Sequence, residues 1–204
     1  DNYAGREGRG TLFGIRRAEK FMRQVTQNYQ KPAYVLKLDI ASYFRSIPKK
    51  RLWEKIVEIQ DLSRSPKCSE LNSEFYEGWI GMTETQGGGA IIDLLKKIIF
   101  HDPRIHFSGI INAEFPKQKS LFSASPERGL PLWDLVSQLL GNFYLHTLDH
   151  FVKHTLCIKY YGRYMDDMIF FNSDRDVLDL TVTRIRDFLQ NKLWLELHEW
   201  KIIL

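Results

Sequence analysis

Tyr160-Tyr161-Gly162-Arg163-Tyr164-Met165-Asp166-Asp167-Met168-Ile169-Phe170-Phe171 is the stretch that decides how this chain is read. Apolar and aromatic residues run up to two adjacent acids and resume immediately after them. β-Branched and aromatic residues favour strands and an Asp pair favours a tight turn, so the stretch predicts a hairpin with carboxylates at its tip. Two adjacent carboxylates repel, and a cation holds them together. Mg²⁺ suits that position because it takes hard oxygen ligands and retains waters and substrate phosphates. For the dipeptide alone, an acidic surface turn is the plainer alternative.

Asp39 is the natural third ligand. The segment 33–40 reads as a strand, and its Asp interrupts an apolar run that should be buried on at least one side. A buried carboxylate costs several kcal/mol unless it is paired or bound to metal. A strand delivering Asp39 beside Asp166 and Asp167 would make a two-metal platform for phosphoryl transfer. The local alternative is that Asp39 caps the turn leading into residues 41–44.

The rest of the chain sets bounds. Its 204 residues suffice for one substantial core or two small ones, and 44% hydrophobic with 26% charged residues is ordinary for a globular protein. The formal charge of +4 permits nucleic acid without requiring it. Within residues 1–31, Arg6, Arg9, Arg16, Arg17, Lys20, Arg23 and Lys31 face only Asp1, Glu7 and Glu19, so this segment carries the equivalent of the whole surplus. Cys68 and Cys157 are too few for a disulfide scaffold or zinc site, which points to a reducing compartment. No apolar run reaches membrane-spanning length, so no membrane partner is expected.

Periodicity and breakers predict a basic helix over 15–29, the strand carrying Asp39, a turn or short helix over 42–47, and helices over 49–60 and 90–100. A long helix follows over 134–154, then the hairpin, an amphipathic helix over 177–192 and a final strand over 193–197. Residues 63–89 give no clear pattern. This succession predicts an α+β fold, an antiparallel sheet covered by helices.

Taken in order, these stretches resemble a reverse transcriptase. Leu38-Asp39-Ile40-Ala41-Ser42-Tyr43-Phe44 is similar to the family's first catalytic-acid motif, and Tyr164-Met165-Asp166-Asp167 matches its signature hairpin. Gly129-Leu130-Pro131 with Ser137-Gln138 resembles the template- and nucleotide-positioning motif. Leu195-Glu196-Leu197-His198 with Lys201 resembles the following motif, and residues 4–11 resemble a fingers motif with a triphosphate-contacting arginine. The nearest subgroup is bacterial or phage-borne, related to group II intron and retron enzymes. Residues 97–103, 119–122 and 148–154, with Leu132 where most relatives carry Gln, look most like the diversity-generating class. Trp133-Asp134 departs from the usual Gly-Asn.

The resemblance implies a right-hand polymerase palm with partial fingers: fingers over 1–31, palm over 32–204 with inserted helices at about 63–128, and no thumb. It implies RNA-directed DNA synthesis, in which a primer 3′-hydroxyl attacks a dNTP with Mg²⁺ as cofactor and Mn²⁺ as substitute. Asp39 and Asp166 would bridge the metals, with Asp167 more peripheral and the Ile40 carbonyl as a further ligand. Arg6 and Arg9 would contact the triphosphate, Phe44 would exclude a 2′-hydroxyl, and Lys201 would neutralise departing pyrophosphate. Leu132, Ser137, Gln138 and Tyr164 would face template, nucleotide or primer. The partners would be an RNA template, a DNA or RNA primer and dNTP, with an accessory protein or structured RNA as an addition, in a bacterial or phage-infected cytoplasm. Two alternatives stay open: a catalytically weak nucleic-acid-binding palm, and an antiviral reverse transcriptase making untemplated or protein-primed DNA.

Overall fold

Three antiparallel strands in the order β1-β3-β2 form the sheet: β1 Tyr34–Leu38, β2 Tyr161–Tyr164 and β3 Asp167–Asn172. The computed structural model describes residues 2–4, 8–63, 88–102, 125–131 and 135–199. Tyr34 pairs with Asn172 and Leu38 with Met168, while Tyr161 pairs with Phe170 and Tyr164 with Asp167. Side chains alternate between the faces of a sheet. One face therefore carries Leu36, Leu38, Tyr161, Arg163, Met168 and Phe170, all buried. Val35, Lys37, Gly162 and Ile169 belong to the other.

Single bridges flank the sheet on both sides, Ile40 with Leu197 beyond β1 and Asn2 with Arg163 beyond β2. Helix α1, Thr11–Val25, packs on β2 and β3, with the Phe21 ring 5.6 Å from Tyr160 and 6.2 Å from Phe171. It ends four residues before the limit expected from sequence. Thr26 turns its hydroxyl back to the Met22 carbonyl, and Gln27, Asn28 and Tyr29 all take positive φ, which no right-handed helix accommodates. A short helix α2, Tyr43–Ser46, follows β1.

The chain divides into two compact units, Asp1–Ile47 with Pro131–Leu204, and Pro48–Leu130. In the second unit, helices α3 (Lys49–Ser63) and α4 (Gly88–Phe100) pack through Leu52, Ile56, Leu95 and Ile99. There the Lys49 ammonium donates to the His101 carbonyl at 3.1 Å, and the Phe100 ring meets Trp53 edge-on at 6.3 Å.

In the first unit, the long helix expected over 134–154 is split into α5 (Leu135–Tyr144) and α6 (His146–His150), and α6 widens into a π-type turn over Phe151–Thr155. Helix α7, Arg175–Phe188, is capped by Asp174, whose carboxylate accepts the Asp176 amide at 2.9 Å, and packs on β3 and β1. The strand expected over 193–197 is not formed. The helix runs on as a π-type turn through Leu189–Leu193, closed by the Leu195 amide on the Leu189 carbonyl, and Trp194 takes a left-handed conformation. Only Leu197 pairs. The architecture is α+β, and among the described residues no helix is long and apolar enough to cross a membrane.

Candidate active site

The register that pairs Leu38 with Met168 brings Asp39, the residue after β1, level with Asp167 at the start of β3. Asp39 is buried to 7% exposure, whereas Asp167 is exposed. Both line one cavity of about 490 Å³ between α1 and the sheet, together with Tyr3, Gly14, Ile15, Lys37, Gly162 and Tyr164. The two acids, far apart in sequence, thus line the same cavity, and Asp166 is not part of its lining.

Asp166 is half-buried at the turn itself. Tyr164 and Asp167 form the last pair, leaving Met165-Asp166 as a two-residue loop, with φ +56° at Met165. Positive φ at the first central residue is the type II′ pattern that suits twisted hairpins, normally supplied by Gly. A side chain there costs roughly 1–2 kcal/mol. The surroundings compensate, because the Arg163 guanidinium donates to the Met165 carbonyl at 2.7 Å.

Arg163 is 1% exposed and belongs to a network that sequence reading missed. Its Nε and one terminal nitrogen grip the Asp149 carboxylate at 2.8 and 2.5 Å, and the other terminal nitrogen also reaches the Asn142 amide oxygen at 3.3 Å. Tyr161 donates its hydroxyl to Asp149 at 2.7 Å, and Asn142 donates to the Ala4 carbonyl at 3.2 Å. Burial alone would raise the Asp149 pKa, but the charge and hydrogen bonds of Arg163 outweigh it and hold the carboxyl below its ordinary value. Burial likewise works against the guanidinium charge, and Asp149 more than restores it. The signal was present in the sequence: in a strand where Tyr161 points inward, alternation turns Arg163 inward too, and a buried arginine requires an acid.

Ile40 is fully buried beside the acids. The Asp39 carbonyl accepts from His198 and the Ala41 amide donates to Glu196, both at 2.8 Å, so these groups face the Leu197 segment. Extended backbone alternates its carbonyls, which turns that of Ile40 towards the hairpin side. Phe44 is half-buried, 5.3 Å from the Tyr43 ring, and approaches Gly141 so closely that a Cβ there would lie 3.2 Å from it. Tyr43 anchors this corner by donating to the Gly141 carbonyl, and burial raises its pKa well above the ordinary value.

Tyr164 is 43% exposed on the cavity wall. Ser137 is different: it is fully buried within α5 and does not line the cavity, because its position falls on the helix face that packs inward. Gln138 is half-buried and Arg9 lays its guanidinium over the Phe13 ring at 5.6 Å, neither lining the cavity. Arg6, Leu132, Trp133 and Lys201 lie outside the described residues.

Among the described residues, no three His, Cys, Asp or Glu side chains gather closely enough to enclose a metal. The donor chemistry nonetheless fits a hard cation. Mg²⁺ characteristically takes one or two carboxylates and completes its octahedron with waters and substrate phosphates rather than with an all-protein cage. Asp39, Asp166, Asp167 and the Ile40 carbonyl are oxygen groups of the kind that such an ion takes. No protein-family model matches the chain, and no curated protein is similar to it.

Proposed function

We propose that this chain is the palm, with part of the fingers, of an RNA-directed DNA polymerase. The observation that supports this reading most is the β1–β3 register, which sets Asp39 level with Asp167 on the wall of an open cavity, with Asp166 next to it in the hairpin turn. Asp39 and Asp166, with the Ile40 carbonyl and a more peripheral Asp167, would hold Mg²⁺, which supplies charge neutralisation at the α-phosphate when bound. The reaction is attack of the primer 3′-hydroxyl on the α-phosphate of a dNTP, with pyrophosphate as leaving group. Positioning carries most of the catalysis in phosphoryl transfer. The buried backbone at Asp39 and Ile40 fixes one side of the site, and the held hairpin turn fixes the other. Phe44, wedged against Gly141, would lie under the sugar and reject a 2′-hydroxyl.

Primer extension by the intact protein on an RNA template tests this. Asp39→Asn and Asp166→Asn should each lower dNTP incorporation at least about 1000-fold while template binding persists, because affinity for nucleic acid is spread over many basic contacts. Incorporation within twofold of the unmodified protein refutes the assignment. Phe44→Ala should raise the ratio of rNTP to dNTP incorporation about tenfold, a difference of roughly 1.4 kcal/mol in discrimination. An unchanged ratio removes Phe44 from the sugar site.

A further inference from the structure

The Arg163 network joins three parts of the first unit to one peptide of the hairpin turn. Asp149 comes from α6, Asn142 from α5, and Asn142 in turn holds the Ala4 carbonyl of the N-terminal segment. The backbone group of the turn that the guanidinium takes is the carbonyl of Met165, the residue with positive φ. Asp166 is the next residue. Any rotation that relaxes Met165 swings the peptide leading into Asp166, so the conformation of one fixes the direction of the other.

Charge pairing alone would not need this arrangement. Two nitrogens satisfy Asp149 in a bidentate grip, and a third reaches out of the pair to the turn. A guanidinium is suited to this because its donors form a rigid planar fork; a lysine presents a point charge that cannot span all three partners at fixed angles. Arg163 borders the cavity, but its side chain belongs to the buried face of the sheet with Leu38 and Met168, and from there it takes the turn.

We infer that Arg163, locked by Asp149 and Asn142, is a positioning residue that holds the Met165-Asp166 turn, and with it the Asp166 carboxylate, in the conformation used for nucleotidyl transfer. The catalytic half of this statement rests on the polymerase reading above; the turn-holding half does not.

Two variants of the intact protein test it. Asp149→Leu with Arg163→Met removes both charges together, so no buried charge is left unpaired and the fold is retained, while the Met165 carbonyl loses its donor. Arg163→Lys keeps a cation for Asp149 but not the fork. In both, NMR of selectively labelled methionine should show the Met165 backbone resonances displaced or broadened, with those of Met168 in β3 retained. Primer extension should show kcat lowered about 100-fold, the effect of a displacement near 1 Å, with KM for dNTP within threefold. Adding Met165→Gly to the double variant should recover at least tenfold of that kcat, because glycine takes positive φ unaided. Unchanged Met165 resonances in either folded variant overturn the proposal, as does a kcat loss that Met165→Gly leaves untouched. If the unmodified protein extends no primer, the polymerase reading fails, and the Met165 resonances alone decide whether Arg163 holds the turn.

Discussion

Asp39 and Asp149 are equally buried, each 7% exposed, but Asp39 lines the cavity and Asp149 does not. Asp149 faces a guanidinium and a tyrosine hydroxyl that together fill its oxygens, so its charge is cancelled inside the protein. Asp39 directly follows β1 and lines a cavity shared with Asp167. Burial alone therefore does not distinguish a structural acid from a functional one; what the carboxylate faces does. The first belongs to the architecture behind the hairpin and the second to the surface in front of it.

The largest expected effect separates the two outright. Asp149→Asn leaves Arg163 buried without a countercharge and should cost about 3–5 kcal/mol in urea unfolding. Asp39→Asn should change stability by less than about 1 kcal/mol while removing primer extension. Equal destabilisation by both substitutions would make Asp39 a structural acid and collapse the comparison. The sign with pH follows as well. Because the folded Asp149 titrates below its ordinary value of 3.8, its stabilisation is complete above that value and is lost as pH falls through the folded pKa.

A second, smaller effect comes from His146 on α6, three residues before Asp149. Burial lowers its pKa from 6.5 to about 4, so the folded state keeps it neutral where the unfolded chain takes up a proton. Its contribution is therefore full above 6.5 and falls as pH drops towards 4. Between pH 7.5 and 5.0 the loss should be about 2 kcal/mol, measured by urea unfolding at both values. His146→Gln should flatten that slope; an unchanged slope assigns the acid sensitivity elsewhere.

The smallest effect concerns the front surface. A Cβ at Gly162 would lie 2.8 Å from the Tyr3 ring, which packs across β2. Gly162→Ala should cost about 1–2 kcal/mol, relieved by Tyr3→Leu in the same chain. Additive costs in the double variant would show that Tyr3 does not occupy that space.

Much of this arrangement was legible in the sequence, because the strongest signals are local. The hairpin, the strand before Asp39 and helices α3, α4 and α7 follow from alternation, amphipathic spacing and breakers, and each appears within a few residues of its expected limits. The end of the chain misled for a physical reason: Leu193-Trp194-Leu195 alternates like a strand, but the preceding helix had not finished, and its last turn claimed the Leu195 amide. The Arg163 network was harder to see. Its members stand at 142, 149, 161 and 163, each ordinary in its own element, and only the packing of α5 and α6 behind β2 makes them one group. Ser137 shows the converse, a motif position whose side chain turned out to face the interior.

The pairing of Tyr34 with Asn172 also sets the order in which the molecule can be made. β1, synthesised early, must wait for β3, synthesised late, before it pairs in the sheet, and translation at about 5–20 residues per second imposes a delay on the order of ten seconds. During that interval α1 exists without the β2 and β3 surface against which Phe21 packs. The acids at 39 and 167 consequently come together only after synthesis of the hairpin, so the cavity they line is absent from the nascent chain until its last strand has emerged.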